Sequence, residues 1–217
     1  MAGLGELRSW QTEALLRIRT PERRENLRRL FEQFDLDDAR ALIEESNMLR
    51  HGLAAIQEKG AVGEAVVAAT LHHFFATFEG RGDLMLQYEL WAGRGVADRY
   101  PVRQMDILFL MRTPRSSRGS VAFLIEAKNY VRVTQSTLSS GHLAKQVDKD
   151  CKLLNPRIAG HAPVIPVWWF LQGCDPSARS HLEGLCFRVV DFMRDPLLHE
   201  MLPAFDVPER LRRSFRD

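Results

Sequence analysis

Asp106 and the triplet Glu126-Ala127-Lys128 are separated by nineteen residues, and each acid lies in or closes a short apolar run. Two carboxylates brought together supply hard oxygen ligands, and the lysine adds a positive donor beside them. Such a set can hold Mg2+ or Mn2+ next to a phosphodiester, so the chemistry it implies is metal-dependent hydrolysis of that bond. Glu-x-Lys alone is weak, because a chain of this size carries roughly one by chance. The elements that position these residues must therefore carry the inference.

Asp106 sits within VRQMDILFLM (102–111) and Glu126 ends VAFLIE (121–126). Both stretches are short, apolar and rich in β-formers, as buried strands are. The intervening RTPRSSRGS (112–120) has the composition of a hairpin loop. Side chains alternate along a strand, so Glu126 and Lys128 share one face, with Val121, Phe123 and Ile125 on the other. A hairpin register with Asp106 on the first face brings the three groups together.

The chain has 217 residues, 45% hydrophobic and 27% charged, which suits one α/β domain with a helical extension. Net charge is only +2, so global charge does not announce a polyanionic partner. Between Arg94 and Lys152, however, eleven Lys and Arg face five Asp and Glu, a local basic excess around the candidate site. Three cysteines, odd in number and without close metal-type spacing, indicate neither a disulfide framework nor a zinc knuckle. The charged start and the absence of a long apolar run read as a cytoplasmic protein with no membrane segment, delivery by a secretion system being left open.

Residues 1–58 read as a helical extension, with Leu7, Trp10, Leu15 and Ile18, then Leu27, Leu30, Phe31 and Phe34 at helical spacing on either side of Pro21. Arginines line its outer faces, interspersed with glutamates, as on a solvated helix. This arm packs on the core or binds a partner. Residues 59–217 form the second unit, with helices near 61–78, 139–155 and 176–185. Its strands fall near 83–90, at the two runs above, and near 163–171 and 186–192, followed by short helices from Asp195 and a basic end at 210–216. The order α-β-β-β-α-β-α-β predicts a mixed sheet flanked by helices.

With Gly60-Ala-Val-Gly-Glu64, Gln104-Met-Asp106, Glu126-Ala-Lys128 and Gln146 assembled over 61–171, the chain resembles the PD-(D/E)xK nuclease superfamily, whose fold is restriction-endonuclease-like. Met105 stands where that family's pattern has proline. The resemblance implies that Asp106 and Glu126, with Glu64 and the backbone carbonyl of Ala127, ligate the metal, and that Gln146 helps position water or substrate. It also implies DNA rather than RNA, and products with 3′-hydroxyl and 5′-phosphate ends.

The residues themselves support parts of this. Glu64 shares the apolar stripe of Val67, Ala68, Leu71 and Phe75, so it points inward; its alternative is a solvated first-turn glutamate. Lys128, on the face of Glu126, can orient water or stabilise a pentacovalent phosphate. His142, Gln146 and Asp150 edge the stripe of Leu143, Val147, Cys151 and Leu154. Arg103, Arg115, Arg118, Lys145 and Lys149 are the candidate phosphate contacts, giving salt-dependent affinity. Gly93-Arg-Gly95 lacks the context of a dinucleotide loop, His72-His73 point about 100° apart on a helix, and Trp168-Trp169 read as core.

Two further readings stand beside the nuclease. One is a non-catalytic nucleic-acid-binding module on the same fold. The other concerns role: a bacterial toxin effector, with an inhibitory or immunity protein as partner, against a repair or restriction nuclease.

Overall fold

The computed structural model describes residues 7–48, 52–76, 82–90, 103–112, 120–129, 132–153 and 164–192. The expected hairpin loop with Arg115 and Arg118, and the segment from Asp195 with its basic end, lie outside them. Four helices come first: α1 (Ser9–Arg17), α2 (Pro21–Glu32), α3 (Leu36–Asn47) and α4 (Leu53–Ala76). Then follow β1 (Gly82–Leu90), β2 (Arg103–Arg112), β3 (Ser120–Lys128), α5 (Gln135–Leu138), α6 (Gly141–Leu153), β4 (Val164–Phe170), α7 (Pro176–Gly184) and β5 (Arg188–Asp191). The expected order of core elements is observed, with the short α5 added.

The helix starts have local causes. Pro21 and Pro176 open α2 and α7, where a missing N–H leaves no helical bond unmade, and Asp35 caps α3 by accepting from the N–H groups of Asp37 and Asp38. The sheet runs β1-β2-β3-β4-β5, antiparallel over the first three strands and parallel over the last three. Crossovers through α5, α6 and α7 place those helices on one face, where Leu143, Val147, Trp168, Phe170, Leu182 and Val189 pack together. On the other face Ile107, Phe109, Phe123, Ile125, Val167 and Trp169 meet α4. Among the described residues no helix is long and apolar enough to cross a membrane.

The expected division at residue 58 falls inside α4, which starts at Leu53. Gly60 marks no break, since one helical glycine costs only about 1 kcal/mol, less than the packing returns. Trp10, Ala14, Leu15, Ile18, Leu27 and Leu30 share one continuous core with α4 and the sheet. The helical segment is therefore a layer covering α4, and this explains why α4 is apolar nearly all round: Val62, Ala65, Val66, Val67, Ala68 and Ala69 are all buried between two layers. At Gly63, α4 comes close to the residues that follow β3 and β4. A Cβ there would lie 2.7 Å from Leu171 Cδ1 and 3.1 Å from Asn129 Cβ.

Candidate functional site

The ladder between β2 and β3 ends at Ile107 and Ile125, while β3 stays paired with β4 through Lys128 and Phe170. The two strands part at Asp106 and Glu126, which stand opposite each other one step beyond the last pair. In place of a ladder bond, Asp106 Oδ2 accepts from the backbone N–H of Ala127 at 2.8 Å. On the other side of Asp106, β1 is irregular at the position in register with it. Gln87 has φ 50°, a left-handed conformation that costs a non-glycine residue roughly 1 kcal/mol or more. The kink reverses the alternation: Leu84 and Leu86 pack toward α4, whereas Tyr88 packs with Met105, Leu108 and Leu124 on the other face. One acid is thus presented at a break shared by three strands.

Glu126 and Lys128 lie on one face, as strand alternation requires, and both are buried at 3% and 4% exposure. Lys128 Nζ donates to Glu126 Oε1 at 2.5 Å and to Gln146 Oε1 at 2.8 Å, and Gln146 Nε2 donates to Glu126 Oε1. Gln146 comes from α6, so the helix edge expected to lean over the sheet does so. Beneath this triangle, the ammonium lies 5.1 Å from the Trp168 ring centroid, a cation–π contact. Trp168 is core, as its apolar strand implied, and it also donates its indole N–H to Asp150 at 3.1 Å.

Arg103 is turned inward. Its guanidinium donates through Nε to Asp150 Oδ1 and through a terminal nitrogen to Glu126 Oε2, both at 2.7 Å, and its side chain is 13% exposed. It joins two acids instead of facing solvent, where a phosphate contact would need it. Asp150, at 1% exposure, is held by Arg103 and Trp168. Burial raises the Asp150 pKa, against the opposing pull of Arg103. Lys145 and Lys149 are exposed on α6, as is His142, and the first two remain free to approach a polyanion.

Glu64, on α4, is buried from the opposite side of the break. Arg17 of α1 grips it with two terminal nitrogens, at 2.5 Å to Oε2 and 3.0 Å to Oε1, and Gln87 Nε2 adds a third donor at 2.7 Å. Gln87 in turn accepts from Gln104 at 2.9 Å. Burial alone would lower the Arg17 pKa, but its hydrogen bonds and charge contact with Glu64, aided by Asp106, raise it. Asp106 thus lies between Glu64 and Glu126. Its carboxyl is raised well above the ordinary range, by burial first and then by the charges of Glu126 and Glu64, with Lys128 and the Ala127 N–H opposing.

Asp106, Glu126, Lys128, Gln146 and Glu64 therefore meet at one end of the sheet, with the Ala127 backbone between them. The oxygen donors are of the type that suits Mg2+ or Mn2+, and the mutual repulsion felt by Asp106 is what a divalent cation relieves. As they stand, Glu64 faces Arg17, and Glu126 faces Arg103 and Lys128; among the described residues no three His, Cys, Asp or Glu side chains are grouped as a metal site. Four members of this cluster were not singled out for it from sequence: Arg17, Gln87, Asp150 and Trp168. Of these, only Asp150 carried a signal, its position on the helix edge with Gln146. No protein-family model matches the chain, and comparison with curated proteins and with solved structures returns no significant match.

Proposed function

We propose that this protein is a metal-dependent nuclease of the PD-(D/E)xK kind with a restriction-endonuclease-like core, acting in the cytoplasm on DNA in preference to RNA. The observation that carries the reading is the convergence of Asp106, Glu126 and Lys128 where β2 and β3 part, with Gln146 reaching them from α6. In this reading Asp106, Glu126, the Ala127 carbonyl and Glu64 hold Mg2+ or Mn2+. Such an ion, when bound, would supply an activated water and charge stabilisation at the phosphate. Lys128 directs its ammonium at the reacting oxygens and is held on course by Gln146 and the Trp168 face. Arg103 keeps Glu126 oriented by tying it to Asp150. Lys145 and Lys149 contact phosphates outside the reacting centre, without reading bases.

One observation favours a second reading, a nucleic-acid-binding module without catalysis: Glu64 and Glu126 are already neutralised by Arg17, Arg103 and Lys128. Incubating plasmid DNA and structured RNA with purified protein in Mg2+, Mn2+ or EDTA, alongside Asp106→Asn and Lys128→Met, separates the two. Cleavage that needs the metal and disappears in both variants supports the nuclease. Cleavage that survives EDTA and both substitutions refutes it, and salt-sensitive, metal-independent binding without cleavage selects the module.

A further inference from the structure

The helical layer contributes a charged group to the site itself. Arg17 ends α1, whose Trp10, Ala14 and Leu15 are buried in the common core, so this helix is fixed over α4 and cannot swing away as an arm. Its guanidinium meets Glu64 47 residues away in a two-point pair, and with Gln87 it engages both carboxylate oxygens. Such a planar, two-point match is specific to guanidinium against carboxylate or phosphate. The pair uses two of the five guanidinium N–H groups, and the side chain is still 29% exposed. Among the described residues it is the arginine of the cluster with open access to solvent; Arg103 is enclosed by its two acids.

We propose that Arg17 is a phosphate-binding residue of the nuclease site, held on Glu64 until metal and substrate arrive. This rests on the nuclease reading above. A cation entering beside Asp106 competes with Arg17 for Glu64, and the released guanidinium meets a ligand of the same charge and matching shape, a backbone phosphate of the nucleic acid. Exchange of one anionic partner for another keeps the arginine paired throughout. The cost of leaving Glu64 is met by the incoming metal, so metal binding and phosphate binding are coupled through one side chain. Arg17 is thus a brake on metal binding in the free protein and a contact to substrate in the complex.

The test measures binding apart from cleavage. Mn2+ is titrated by calorimetry or electron paramagnetic resonance into wild type, Arg17→Met, Arg17→Lys and the Arg17→Met/Glu64→Gln double variant, with thermal melts to confirm folding. Arg17→Met binds Mn2+ more tightly, on the order of tenfold, the scale of one charge-assisted two-point pair, and the double variant loses that gain. Binding of a non-cleavable phosphorothioate duplex in Ca2+ across a salt series then shows a slope smaller by about one for Arg17→Met, with Arg17→Lys close to wild type in slope. Equal Mn2+ affinity in wild type and Arg17→Met, or an unchanged salt slope, overturns the proposal. If Arg17→Met does not fold, Arg17→Lys decides it through Mn2+ affinity: a lysine cannot grip both oxygens, so affinity rises, and an unchanged value overturns the idea. Failure of wild type to cleave any substrate would sink the nuclease reading while leaving these binding results to judge Arg17 by themselves.

Discussion

Arg103→Met should destabilise the protein strongly, and the loss should shrink on acidification. Asp150 is buried with two partners, Arg103 Nε and the Trp168 indole N–H, whereas Glu126 keeps Lys128 and Gln146 after Arg103 is removed. The cost therefore concentrates on Asp150. Breaking a buried ion pair from one side costs about 3–5 kcal/mol. Asp150 has an escape, because a carboxyl can take up a proton. From an ordinary value near 3.9, protonation at pH 7 costs about 4 kcal/mol at roughly 1.4 kcal/mol per pH unit, which caps the penalty. The Trp168 N–H, still in place, puts the expected loss at about 3–4 kcal/mol.

At pH 5 the cap has dropped by about 2.7 kcal/mol, so the variant should lose only about 1–2 kcal/mol relative to wild type there. For a chain of this length the pH 7 loss lowers the melting temperature by roughly 10 °C. Asp150→Asn keeps an acceptor for Trp168 without the charge, so adding it to Arg103→Met should recover most of the stability. Urea unfolding of the four members of this cycle at pH 7 and pH 5 measures each quantity. A loss under 1 kcal/mol, a loss equal at the two pH values, or strictly additive single effects would refute the assignment of Arg103 as the partner of Asp150.

Three further outcomes follow from the same geometry. Gly63→Ala should destabilise by about 1–2 kcal/mol after its helix-propensity gain, because the new Cβ meets the buried Leu171 and Asn129; Gly60→Ala, with nothing within 4 Å, should gain up to about 1 kcal/mol, and chemical denaturation distinguishes the two. On the nuclease reading, Asp106→Asn should abolish cleavage while making the metal-free protein more stable near neutral pH, read as a higher melting temperature. The sign follows from a raised carboxyl: stability present below its ordinary pKa is lost as pH rises through the raised value, and asparagine removes that loss. A variant that melts lower than wild type at pH 8 would contradict it. His72, packed against Trp10 and lowered by burial and by Arg8 and His73, works the other way. Its contribution is full above about pH 6.5 and falls as acid protonates it, so His72→Phe should flatten the decline in melting temperature below that pH.

What could be read from the sequence was what local periodicity determines. Alternation over Val121 to Lys128 put Glu126 and Lys128 on one face, and the 3.6-residue period put Gln146 and Asp150 on one edge of α6. The partners of these residues depend on contacts that periodicity does not encode. Arg17 is one of several arginines on the first two helices, with nothing in its neighbours to distinguish it, and its acid lies 47 residues on. Arg103 looked like a surface cation because Asp150, also 47 residues away, could not be brought to it by pattern alone. Gln87 depends on a left-handed backbone that no residue type there signals; glycine or asparagine would have. The placement of a boundary at residue 58, inside α4, had the same origin. Gly60 looked like punctuation, yet it lies within α4, where nothing stands within 4 Å of an added Cβ.

The charges at the site explain why the cluster can form at all before any ion binds. The buried Glu64, Glu126 and Asp150, with the half-buried Asp106 among them, would not stay together unaided. Arg17, Arg103 and Lys128 offset three of them, each through at least one contact of 2.7 Å or less, and the fourth, Asp106, is the one whose carboxyl is pushed far up. Among the described residues, the acid at the strand break is thus the one of the four with no ion pair of its own, and its carboxyl is the one driven toward holding a proton. A divalent cation would relieve Asp106 there, and to gain an oxygen of Glu64 or Glu126 it would have to compete with Arg17, Arg103 or Lys128. On the nuclease reading, the cations that let the site fold would also be the groups that set its metal affinity. One of them is delivered by α1, which makes the helical layer a part of the site's electrostatics as much as a cover for α4.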